Sequence, residues 1–111
     1  MKLQINWGEP VIRREDVLEI SIGDLNDFYA AASEVDQLNL FFILLTSLRR
    51  YLDLGDRERA AHLSFLAAYY LFTPLTPPGS WELSMHYIRQ AVALNPREEY
   101  REWVPLMEAG N

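Results

Sequence analysis

The sequence predicts an all-α domain of four to five antiparallel helices built as helical hairpins, behind an N-terminal segment that is extended or a β-hairpin. Two observations carry this. First, Leu44, Leu48, Tyr51 and Leu52 recur at helical spacing, Gly55-Asp56 breaks the run, and Ala60, Leu63 and Ala67 restart it. Second, half of the 111 residues are hydrophobic, which argues for a packed core and against disorder. The length fits a single domain, residues 1–111, divided into an arm or hairpin over 1–23 and helices over 24–109.

Taken in order, Leu3, Ile5 and Trp7 alternate with polar residues before the turn Gly8-Glu9-Pro10. Leu18, Ile20 and Ile22 alternate again, which reads as a short β-hairpin. The other reading is an extended arm packed by Trp7. Asp24 is the expected N-cap of a first helix, with Leu25, Phe28, Tyr29, Ala32 and Val35 as its apolar stripe. Asp36 is the expected cap of a second, over Leu38–Leu54. Its first half is apolar nearly all round, so it is expected at the centre of the fold.

Gly55 ends that helix, and a third is expected over Arg57–Phe72, its alanines suited to close packing. The prolines and glycine of Thr73–Ser80 exclude helix. The PxxP spacing of Pro74 and Pro77 there lacks a flanking basic residue and reads as a loop. Ser80 is the expected cap of a fourth helix, Trp81–Leu94, which Asn95-Pro96 ends. Tyr100, Trp103 and Val104 then share one face of a last helix, short or kinked because of Pro105.

Net charge is −6, and residues 1–37 hold eight of the 16 acidic side chains against three basic ones. Such a surface repels phosphates and anionic lipid, so neither nucleic acid nor membrane is the expected partner, whereas a basic protein is allowed. No signal-peptide run opens the chain, and LNLFFILLTSL (38–48) is too short to span a bilayer before Arg49-Arg50 ends it. A cytoplasmic location is therefore expected. Absence of cysteine excludes disulfides and thiolate metal sites. Nine arginines against one lysine point to a GC-rich bacterial source.

The segment YIRQAVALNP, residues 87–96, resembles the second helix and terminal proline of a tetratricopeptide repeat. Ala91, Leu94 and Pro96 fit its small, aliphatic and proline positions, Ile88 its large apolar one, and Ser84 stands where the family prefers Ala. Leu63, Leu66, Ala67 and Tyr70 match the first helix of that unit, with a five-residue insertion after it. A second register places Leu44, Tyr51, Gly55 and Ala60 on the same spacing, making Arg57–Phe72 second helix in one register and first in the other. The resemblance covers about residues 41–104. It implies a tetratricopeptide-like order of helices and a groove lined by the first helix of each pair.

By that resemblance Tyr51 or Tyr69, with Arg49 or Arg50, are groove residues, the other reading being that the two arginines pair with Asp53 and solvent; Phe42, whose neighbour Phe41 must point elsewhere, is a candidate for an outer surface. Glu58 with His62, and Glu82 with His86, each share a helix face at i,i+4, a spacing that two neighbouring helices could combine into a two-His, two-carboxylate metal site. Exposed helix-surface pairs are the simpler reading. No nucleophile elbow or glycine-rich phosphate loop is present. The expected function is non-enzymatic protein binding, with no cofactor: a small adaptor, chaperone or inhibitor taking a helix or peptide of a partner. The alternatives are a metal-binding or enzymatic bundle and a structural homodimer.

Overall fold

A computed structural model describes residues 1–6 and 8–110. Among the described residues six helices follow one another: α1 (Arg14–Val17), α2 (Ile22–Ala31), α3 (Glu34–Asp53), α4 (Arg57–Phe72), α5 (Ser80–Leu94) and α6 (Glu98–Ala109). The all-helical class holds, with more helices than the four or five expected.

The centre is α4, not α3. Every residue from Ala60 to Phe72 is buried, because α3 and α5 pack along it, α1 and α2 touch it, and aromatic side chains of α6 close the remaining side. Ala60, Ala61, Ala67 and Ala68 let those backbones approach closely, while Phe65 and Tyr70 fill the larger spaces. In α3 the apolar half instead carries three exposed side chains, Val35, Leu38 and Phe42. Hydrophobicity all round a helix was the signal for centrality. Here the shorter, alanine-rich helix holds that position, since small side chains allow neighbours on all sides.

No strand occurs among the described residues, so the N-terminal hairpin is not formed. The residues buried from its second half are Val17 and Ile20, three apart as in a helical turn. Turn bonds Glu19 N–H to Asp16 O and Ile20 N–H to Val17 O wind the chain there. Residues 2–6 alternate between exposed and half-buried, with Leu3 and Ile5 against the core, which is the pattern of an extended arm. The packing expected of Trp7 lies outside the described residues.

Two helix starts fall one turn earlier than expected. Ser21, not Asp24, caps α2: its hydroxyl accepts from Asp24 N–H at 3.1 Å, and the Asp24 carboxylate accepts from Ser21 N–H at 2.8 Å. Likewise Ser33, not Asp36, caps α3, accepting from Asp36 N–H at 3.2 Å. Before α5 the cap is Gly79, at φ 80°, with Ser80 already helical. The last helix is not cut short by Pro105 but continues to Ala109, held by Trp81 Nε1–H donating to Met107 O at 2.9 Å.

Tyrosine hydroxyls fasten the peripheral segments to the centre. Tyr51 donates to Ile12 O at 2.6 Å, and Ser47 Oγ accepts from Ile12 N–H at 2.9 Å, so α3 grips both main-chain polar groups of one arm residue. Tyr70 donates to Gln37 O, and Tyr69 to Asn26 Oδ1 at 2.9 Å. Arg59 adds a bond from Nε to Arg14 O at 2.8 Å, tying α1 to α4.

Candidate functional site: a groove between the arm and α2

A hollow of about 710 Å³ lies between residues 1–5 of the arm and α2. Leu3 and Ile5 on one side and Phe28 on the other supply apolar wall; Asp24, Asp27 and Asp36 stand around it. The serine caps explain the placement. Ser21 starts α2 so that Asp24 and Asp27 follow on adjacent turns, and Ser33 starts α3 with Asp36 in its first turn.

The three carboxylates differ in their engagements. Partial burial opposes ionisation of Asp24, but bonds from Ser21 and the Met1 amino group outweigh it and hold its carboxyl below the ordinary value. Asp36 accepts from Asn39 Nδ2 at 3.3 Å, and Asp27 is exposed on the groove wall. Lys2 and the Met1 amino group also line the groove, so its rim is mixed in sign, three carboxylates against two cations.

A second property belongs to the arm backbone. Lys2, Leu3, Gln4 and Ile5 make no hydrogen bond through N–H or C=O to any described residue. An extended segment with free main-chain donors and acceptors beside an apolar hollow can pair with a second extended segment.

The side chains singled out from the sequence are not brought together. Tyr51 and Tyr69 are buried, and their hydroxyls serve the internal bonds to Ile12 and Asn26 rather than an outer groove. Arg49 and Arg50 are exposed at the end of α3, Arg49 bonded to Asp53 one turn on. Phe42 is exposed.

Of the histidine pairs, His62 is buried with both ring nitrogens engaged: Nε2 lies 2.7 Å from Ile20 O and Nδ1 2.9 Å from Tyr100 Oη. A carbonyl only accepts, so Nε2 carries the proton, and in the neutral ring Nδ1 accepts from the tyrosine. His86, Glu58 and Glu82 are exposed. Among the described residues no group of three or more His, Asp or Glu is placed to hold a metal ion, so the four side chains do not form the conceived site. Ser64 donates between Tyr87 O and Gln90 Oε1, away from His62.

The arm groove was the feature that sequence reading missed. Its signal was available as the acidic excess of residues 1–37, but which apolar side chains would stand beside those charges depended on the arm's path. Among the described residues no helix is long and apolar enough to cross a membrane. The chain matches no protein-family model, no curated protein and no solved structure.

Proposed function

We propose that this protein is a non-enzymatic, cytoplasmic protein-binding module that takes an extended, basic and apolar segment of a partner into the groove between the arm and α2. The carrying observation is the coincidence, in one hollow, of an apolar wall, three carboxylates and residues 2–5 of the arm, whose main chain makes no hydrogen bond to any described residue. Apolar side chains of the segment would meet Phe28 and Ile5, its Lys or Arg would meet Asp27 and Asp36, and its backbone would pair with residues 2–5.

Part of the same proposal is that α3, α4 and α5 stand in tetratricopeptide-like order. The two registers of the resemblance then describe one object, with α4 shared by the hairpins on either side. Supporting this, α4 packs on both neighbours, and Ser84, Ile88 and Ala91 of α5 are buried. The partner surface, however, is placed at the arm and not at Tyr51 and Tyr69.

The test is selection from a random-peptide display library on the immobilised protein. Enriched peptides should combine Lys or Arg with large apolar residues and bind less tightly at higher salt. Phe28→Ala should weaken the enriched peptide about tenfold or more, and Asp27→Asn or Asp36→Asn about two- to fivefold each. Absence of enrichment, or peptides indifferent to Phe28→Ala in a folded variant, would refute the reading.

A further inference from the structure

The exposed apolar residues of α3 form a face that the groove does not use. Val35, Leu38 and Phe42 are 68 %, 47 % and 56 % exposed. They lie three and four residues apart, so at 3.6 residues per turn they form one stripe, and Thr46 and Arg49 continue it. Scattered surface hydrophobics are ordinary, whereas three in line on one helix are a patch. Its ends carry opposite charge: Glu34 in the first turn, Arg49 in the fifth.

We infer that this stripe is a self-association surface on which two copies of the chain pair α3 against α3 in antiparallel orientation about a two-fold axis passing near Phe42. The charge order selects both the occupant and its direction. In an antiparallel pair centred on residue 42, residue 34 of one helix lies at the level of residue 50 of the other. Glu34 then stands beside the other copy's Arg49, twice over, because an isologous contact repeats each pairing. A parallel pair would set Glu34 beside Glu34 and Arg49 beside Arg49, which is repulsive. The aliphatic stem of Arg49 would cover Val35, and the two Phe42 rings would meet at the axis. In the single chain Arg49 is bonded to Asp53, both of them exposed, a contact weak enough to be exchanged for Glu34. One helix face is smaller than a standard interface, so the dimer is a weak one, with a dissociation constant on the order of 10–100 µM.

Sedimentation equilibrium of the whole chain from about 5 to 500 µM tests this, with circular dichroism to confirm that each variant is folded. The wild-type chain should pass from monomer to dimer over that range, and Phe42→Glu should remain monomeric. Glu34→Arg and Arg49→Glu should each weaken the dimer about three- to tenfold, and the double variant, with the charges exchanged, should recover most of the loss. A chain monomeric throughout, a dimer indifferent to Phe42→Glu, or a double variant no better than the singles would overturn the proposal.

Discussion

Buried polar atoms set two measurable properties of this chain. Burial pushes the His62 imidazole below its ordinary value of 6.5, and the Ile20 carbonyl, which favours the charged ring, only partly offsets this; Glu99 and Arg97 act on it in opposite senses. A base harder to protonate when folded binds fewer protons in the native than in the unfolded state. Its contribution to stability is therefore full above about pH 6.5 and declines as pH falls from there towards the depressed native value. Urea unfolding at a series of pH values should show this decline, and His62→Gln should remove that part of it. The second atom is Ser84 Oγ, buried with no hydrogen-bond partner among the described residues. Its desolvation is uncompensated, so Ser84→Ala should raise stability by about 1 kcal/mol in the same assay. Alanine is also what the tetratricopeptide resemblance prefers there.

Helix starts are the element-scale determinants of the groove, since α2 carries Asp24, Asp27 and Phe28 on turns counted from Ser21. Ser21→Ala removes the hydroxyl half of the capping box and should cost about 1 kcal/mol, read as a lower urea midpoint with the slope unchanged. The sequence contained this feature twice, as Ser21-x-x-Asp24 and Ser33-x-x-Asp36. Reading each Asp as the cap placed both helices a turn late, because either residue type can cap and only the hydrogen bond from the Asp N–H to the serine hydroxyl decides. The long elements were legible for a firmer reason. Gly55, at φ 73°, and the proline loop leave Arg57–Phe72 its observed bounds. Alternation at Leu18, Ile20 and Ile22 misled because three apolar residues two apart also fit a helical turn followed by a cap. Nor could residue spacing show that Tyr51 points inward to Ile12, a partner 39 residues away.

At the scale of the whole molecule, the arm makes one wall of the groove and is fastened chiefly where Ser47 and Tyr51 hold Ile12. Of residues 2–5, Leu3 and Ile5 pack against the core, and their main chain makes no hydrogen bond to any described residue. The two proposals therefore use distinct surfaces, the hollow beside the arm for a partner segment and the outer stripe of α3 for a second copy. The most direct test of the first is amide chemical-shift mapping of the isotope-labelled chain titrated with a peptide enriched by display. Saturable shifts are expected over residues 2–5 and 24–36, with slowed amide exchange at residues 2–5 as the arm gains a pairing strand. Shifts confined to α3 from Phe42 to Arg50, with residues 2–5 unmoved, would contradict it.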